Sequence, residues 1–185
     1  MPVAPLSRVH LTEPLGPGDH VRGPTDAPVR VVEYVDFECP DCKRAAPAVE
    51  MLLKHFEGRI CVALRHFPLE SVHPHALQAA EAAECAGAQG RFWEMAGLLF
   101  ADQLHLDGTN LEARAARVGL DMARYQAEMR AHAHMPVIRR HLESGAASGV
   151  RGTPGFFVNG MIHDVSFGLR SLFDRVEAEL AKAAS

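Results

Sequence analysis

Cysteine is scarce in this chain: four residues in 185, with one tryptophan and two tyrosines beside them. Four cysteines over that length do not make a disulfide-stapled mini-domain. Long hydrophobic runs are missing too. The apolar stretches fall far short of the roughly 20 residues a membrane helix needs, so no transmembrane segment is expected. Charge of either sign is not in excess: the net value of −4 gives no argument for nucleic acid or an acidic membrane surface as a partner. The opening Met1-Pro2-Val3-Ala4-Pro5-Leu6-Ser7-Arg8 has neither the charged start nor the apolar core of a secretory signal. A cytoplasmic protein is the expectation, with an exported form whose signal has been removed as the competing reading.

What is present suits a soluble globular domain, or one domain carrying a large insertion. Apolar residues make up 48% of the chain, and the alanine-rich middle third favours helix. Residues 1–18 are rich in Pro and Gly and read as a loose lead-in; Asp19–Val21 reads as a short edge strand. Val29–Val35 is β-branched and nearly continuous, as a buried central strand would be. A helix follows from Pro40, with Val49, Leu52, Leu53 and Phe56 on its apolar side and Pro47 inside it. Arg59–Phe67 reads as a second long strand. From Leu69 to Gly149 strand character vanishes, and helices are expected over 75–89, 91–101, 111–118 (capped by Asn110), 121–132 and 135–148. Strands return at Gly155–Val158 and Met161–Val165 across an Asn159-Gly160 hairpin turn, and Leu169–Ala183 closes the chain as a helix.

The chemistry concentrates at Cys39-Pro40-Asp41-Cys42, where the first long strand passes into a helix. Cys39 would lie at or just before the helix N-terminus, where unpaired amides and the helix dipole favour an anion. A thiolate is such an anion, and it is the form that attacks disulfides. Pro40 suits the first helical turn, and Cys42 lies one turn in, close enough to form a small disulfide with Cys39. Glu33 is anomalous in its strand: a charged acid is costly to bury, so it is neutral, paired or on a wet face. A zinc half-site at the cysteine pair would need further ligands, and Cys61 and Cys85 stand alone, so no metal is expected. They read as buried free thiols, a second disulfide being the alternative. Eleven histidines are many; His132, His134 and His141 could line one helical region, although scattered surface positions fit them as well. Phe92 and Trp93 read as core rather than as a peptide groove.

Asp36-Phe37-Glu38-Cys39-Pro40-Asp41-Cys42 resembles the active-site stretch of DsbA-like thiol–disulfide oxidoreductases of the thioredoxin superfamily. Gly149–Gly160, with Thr153-Pro154, resembles that family's cis-proline loop. His73-Pro74-His75-Ala76 and Gln89–Met95 resemble its helical insertion. The likeness covers roughly residues 19–182 and is greatest to a bacterial subgroup also found joined to sodium/proton antiporters. It implies an α/β thioredoxin fold with an inserted all-helical domain: first part 19–68, insertion 69–149, second part 150–185.

By resemblance, Cys39 is the exposed nucleophile, Cys42 the resolving thiol, and Glu33 the buried acid that takes the Cys42 proton. Thr153 and Pro154, with Pro40 and Asp41 between the cysteines, are the residues expected to meet substrate. Pro47 matches the superfamily's helix kink. The resemblance implies protein or peptide thiols and disulfides as substrates, a redox recycling partner of unknown identity, and no cofactor beyond the redox-active Cys39–Cys42 disulfide. Asp41 departs from the family's best-known oxidant, which has histidine there. An acid opposes the thiolate, so a less oxidising protein is expected. A cytoplasmic location would favour reduction or isomerisation. The competing function is a non-catalytic peptide-binding or chaperone module on the same fold, and a metal-binding redox sensor is a third.

Overall fold

The structure, a computed structural model, describes residues 10–166 and 168–184. Its sheet has five strands: β1 (His20–Arg22), β2 (Val29–Val35), β3 (Ile60–His66), β4 (Gly155–Val158) and β5 (Met161–His163). They lie in the order β1-β3-β2-β4-β5, with β2 and β3 parallel and the other pairs antiparallel. Helix α1 (Pro40–His55) makes the crossover between β2 and β3 that a parallel pair requires. Five helices separate β3 from β4: α2 (Ala76–Gly87), α3 (Phe92–Ala101), α4 (Gly108–Arg117), α5 (Met122–Arg130) and α6 (Met135–Ala147). Helix α7 (Arg170–Ala183) ends the described chain. The cap of α4 differs from expectation. Asp107, not Asn110, is the N-cap, because its carboxylate accepts the Asn110 amide.

Side-chain alternation in β2 decides what each face meets. Val29 and Val31 join Leu52 of α1, Phe56 just after it, and Leu172 and Val176 of α7 in one core. Val32 and Tyr34 point the other way, with Phe67, Val150 and Phe157. Glu33 therefore belongs to the α1 face, two residues beyond Val31, and it is buried. A separate core fills the helical block, and Val35, Phe37, Cys39 and Cys42 are part of it. The segment from Val35 to Cys42 thus sits where sheet and helical block meet.

Residues 10–18 are not loose. Leu11 donates to the Gly160 carbonyl at 2.8 Å, Thr12 to Ser148 Oγ at 2.9 Å, and the carbonyls of Glu13 and Pro14 accept from Arg65. Residues 1–9 of the expected lead-in lie outside the described residues. Arg65, buried in β3, also donates to both carboxylate oxygens of Asp19, at 2.7 and 2.9 Å, and to Tyr34 Oη at 3.1 Å. Burial pushes the Asp19 carboxyl up, but the Arg65 hydrogen bonds, the Gly16 amide and the Arg65 charge together hold it below its ordinary value. Asp19→Ala leaves that guanidinium buried and unpaired and is expected to cost about 3–5 kcal/mol, read as a lower urea midpoint. The loss should be largest at neutral pH. A depressed carboxyl contributes its stability above its unfolded pKa and loses it as pH falls through the folded one.

The histidines divide. His66 and His141 are buried, not on the surface. His66 and His20 both contact the Glu84 carboxylate, at 2.7 and 3.0 Å. Burial first, and His66 second, hold His141 neutral, with its pKa down at about 3. His132 and His134 pair instead with Glu81 and Glu128. The three histidines 132, 134 and 141 therefore form no common cluster.

Candidate active site

Cys39 is the N-cap of α1, with extended backbone (φ −72°, ψ 122°), and Pro40 opens the helix. Cys39 and Cys42 approach to 4.0 Å. As a thiol, Cys39 donates to the Thr153 carbonyl at 3.3 Å, and the Thr153–Pro154 peptide bond beyond it is cis. The Thr153 hydroxyl is buried with no other hydrogen-bond partner among the described residues, and it is the Thr153 group that favours a Cys39 thiolate. The Cys39 thiol is lowered to about 5, chiefly by the hydrogen bond from the Cys42 side chain. Burial opposes the shift, while Thr153 and the amides of Cys42 and Asp41 add to it. Cys42 moves the opposite way, far above its ordinary value, through burial first and then through the hydrogen bond it gives Cys39. One thiol is prepared as an anion and the other as a protonated donor.

Cys39 is only 6% exposed, less open than an exposed nucleophile. The reason is that its neighbours close around it: Phe37, Val35 and Leu64 of the same core, and the Thr153 loop. On the Thr153 side a cavity of about 530 Å³ is lined by Asp41, Arg44, Ala45, Thr153, Pro154 and Leu169, among others. Asp41 is exposed there and ion-paired with Arg44.

Burial alone raises the Glu33 carboxyl to about 8. Its charge acts on Cys42. A second cavity, of about 350 Å³, opens between α1 and α3 and reaches Glu33; Lys43, Pro47, Trp93 and Phe100 also line it. Trp93 is thus partly a cleft residue, while Phe92 is core. Cys61 and Cys85 are both free and buried. One group of metal-type ligands occurs among the described residues: Cys85, Glu128 and His134, whose ligand atoms lie within 4.8 Å of one another. The Glu128 carboxylate there is already shared by Arg124 at 2.7 Å and His134 at 3.0 Å.

Gln103 carries no sequence signal, yet its side-chain amide donates to the carbonyls of both Phe37 and Cys39, each at 2.8 Å. It reaches from the segment between α3 and α4 and fixes the turn that presents Cys39. Asp36 and His73 hold the same turn from the other side. Asp36 Oδ2 accepts from the Leu69 amide and His73 Nδ1, both at 2.8 Å, and Oδ1 from the Glu38 amide at 2.8 Å. An acid just before the cysteine motif and a histidine 37 positions along are each ordinary in sequence; only the fold joins them.

Comparison with known proteins places the chain. The sequence model described as Thioredoxin matches residues 16–174. The Na(+)/H(+) antiporter NhaA 1 of Salinispora arenicola is 45% identical over 174 residues, which are 94% of this chain and 26% of that protein. The chain spans about a quarter of the length of such curated relatives. Among solved structures, BdbD of Bacillus subtilis superimposes with a TM-score of 0.81 at 20% identity, covering 89% of this chain and 94% of that one. A thioredoxin-like oxidoreductase from Silicibacter pomeroyi gives a TM-score of 0.74 at 27% identity, covering 88% and 92%. Among the described residues, no helix is long and apolar enough to cross a membrane. The chain belongs to the thioredoxin family, and its fold carries a helical block between its third and fourth strands.

Proposed function

We propose that the protein is a thiol–disulfide oxidoreductase acting on protein or peptide substrates through Cys39 and Cys42. The observation that carries this reading is two sulfurs 4.0 Å apart at the N-terminus of α1, with Cys39 against the Thr153 carbonyl and its cis-proline; Cys39 lowered to about 5 and Cys42 pushed up accord with it. The Cys39 thiolate attacks a substrate disulfide. A Cys39–substrate S–S bond forms, the substrate S–S bond breaks, and the departing sulfur takes up a proton. Cys42 then loses its proton to Glu33 and attacks Cys39 Sγ. The Cys39–Cys42 disulfide forms, the mixed disulfide breaks, and the second substrate thiol leaves. Two electrons have passed from the protein dithiol to the substrate; the reverse order donates a disulfide.

Substrate backbone would lie along Thr153 and Pro154 as an added extended strand. Pro40 and Asp41 form the opposite rim. Resetting the site requires a dithiol or disulfide partner from outside the chain. In a cytoplasmic setting the steady direction is reduction or isomerisation. Trapping tests the reading. Cys42→Ala should accumulate mixed disulfides in cells that reductant releases, and their absence would sink it.

The same site should be oxidising to an intermediate degree. A nucleophile at about 5 stands above the value near 3.5 of the strong periplasmic oxidant and below the value near 7 of thioredoxin. A difference of about 1.5 units corresponds to roughly 2 kcal/mol, or about 45 mV of two-electron potential. Equilibration with glutathione buffers at pH 7 should therefore give a potential roughly 45 mV below the oxidant's value of about −120 mV, or about −165 mV. A value at or above about −120 mV would contradict the expectation drawn from Asp41. The sign follows from linkage. The stabilisation of the reduced form is complete above the ordinary thiol pKa and is lost as pH falls through 5.

A further inference from the structure

Four carboxyl groups lie on or beside the segment that presents Cys39: Glu33, Asp36, Glu38 and Asp41. Any of them, when ionised, opposes a thiolate. Asp41 is exposed and taken up by Arg44. Glu33 is raised to about 8 and is mostly neutral at pH 7. Asp36 and Glu38 are different, for they sit on the turn itself. The Asp36 carboxylate is fully buried and receives three donors, the amides of Glu38 and Leu69 and His73 Nδ1, each at 2.8 Å. Its own carbonyl accepts the Cys39 amide at 3.1 Å. Glu38 accepts the His75 amide at 2.7 Å. The turn leading into Cys39 is therefore stitched to residues 69–75, and the residue placed on its buried negative charge is His73.

The other cations of the site are engaged elsewhere. Lys43 of α1 donates to the Ala101 carbonyl at 3.1 Å, and Arg44 belongs to Asp41. His73 approaches from the loop after β3. With Nδ1 committed to Asp36, its other nitrogen can carry the second proton, and the side chain is 19% exposed, so that proton exchanges with solvent.

We propose that His73, held as an imidazolium on Asp36, is the electrostatic partner of Cys39: it offsets the acids of the turn, favours the Cys39 thiolate and so helps set the site's oxidising strength. The proposal rests on the thiol-exchange reading of Cys39 and names the positioning group that the Asp41 dipeptide does not supply. Burial pushes His73 down, but the Asp36 hydrogen bond and charge, then Cys39 and Glu38, raise it above its ordinary value. Charge coupling is mutual, so a thiolate that favours the imidazolium is favoured by it equally. The pH dependence has a definite sign. His73 supports the thiolate while protonated, and the support fades as pH rises through the His73 pKa. The groups facing His73 are Asp36, Glu38 and Cys39; those facing Cys39 are Cys42, Thr153 and, by charge, His73.

The test is the pH profile of Cys39 alkylation by iodoacetamide in the reduced full chain, for the wild type, His73→Gln and His73→Arg. Cys39 is 6% exposed and is the thiol lowered to about 5, whereas Cys42, Cys61 and Cys85 are at most 1% exposed with their thiols raised, so the fast phase reports Cys39. The wild-type midpoint should lie near pH 5. His73→Gln keeps a donor for Asp36 and removes the charge; its midpoint should rise by about half to one unit, a roughly three- to ten-fold loss of thiolate below the midpoint. His73→Arg keeps the charge and should restore the wild-type midpoint. An unchanged midpoint in His73→Gln overturns the proposal, and so does an equal shift in both variants, which marks a merely structural role. A wild-type midpoint near the ordinary thiol value of about 8.5 would overturn the exchange reading as well, so the two failures are distinguishable.

Discussion

Cys39→Ser is expected to abolish disulfide exchange, with turnover of a protein disulfide falling at least about a thousand-fold. The loss is that large because the hydroxyl replaces the sulfur that is lowered to about 5 and lies 3.3 Å from the Thr153 carbonyl, and no covalent intermediate can then form. Cys42 cannot substitute. It is fully buried, and its thiol is held protonated by burial first, then by the hydrogen bond it gives Cys39 and by the Glu33 charge. Fold and stability should change little, since position 39 is the N-cap of α1 and serine is itself a favoured residue there. The measurement is reduction of a protein disulfide under a glutathione or dithiol supply, compared across the wild type, Cys39→Ser and Cys42→Ala. Wild-type attack should be nearly independent of pH once the pH is a unit or more above the thiol value of about 5, because the thiolate is already formed. Cys42→Ala should retain the first attack and stall at the mixed disulfide. Residual turnover in Cys39→Ser would refute the assignment of the nucleophile. If Cys39→Ser kept protecting a substrate from aggregation with both sulfurs silent, the peptide-binding reading would replace the catalytic one.

Much of this site is readable in the sequence because its parts are local. The Cys-x-x-Cys spacing, Pro40 at the start of a helix and the Asn159-Gly160 turn each declare themselves over a few residues. The turn residues do adopt positive φ, 47° and 78°, as a tight hairpin needs. What stays hidden is pairing across distance. Arg65 breaks an apolar strand just as Glu33 does, and the same ground would single it out. Its partner Asp19, however, lies 46 residues earlier in the chain, and nothing short-range joins them. Gln103 is invisible for the same reason, and His73 stands out only within a stretch that resembles the insertion, with no sign of its pairing to Asp36: a side chain that clamps a distant turn has no periodicity. Residues 10–18 read as loose because Pro and Gly leave no pattern, although their backbone groups are fastened to the sheet and to Arg65. Asp41 carries much of the weight for redox tuning when the sequence is read alone, yet it is exposed and neutralised by Arg44. The Cys42 thiol, Thr153 and the amides of α1 hold Cys39 low regardless.

Glu33→Gln should slow release from the mixed disulfide on the order of 100-fold at pH 7, the size of effect usual for a lost general base, while leaving the first attack by Cys39 untouched. The two steps separate because the acid lies on the α1 face of β2 and acts on Cys42. In the free dithiol, Cys42 is held protonated partly by the thiolate beside it. Once Cys39 is tied to substrate that charge is gone, and a carboxylate at Glu33 can take the proton. The cleft between α1 and α3 leads that proton out past Lys43 and Trp93. With its pKa near 8, Glu33 is about one-tenth ionised at pH 7, so the release rate of the wild type should climb with pH and level off above 8. In Glu33→Gln that rise should vanish. Stability should move the other way. An acid raised from 4.5 to about 8 carries no penalty below pH 4.5 and a growing one up to pH 8. Glutamine removes it, for a gain of at most roughly 3 kcal/mol at pH 7 before allowing for water in the cleft. A variant that is more stable at pH 8 than the wild type, equally stable at about pH 4, and slow only in release would mark Glu33 as the proton acceptor. Equal pH dependence of release in the two proteins would show that Cys42 gives its proton to something else.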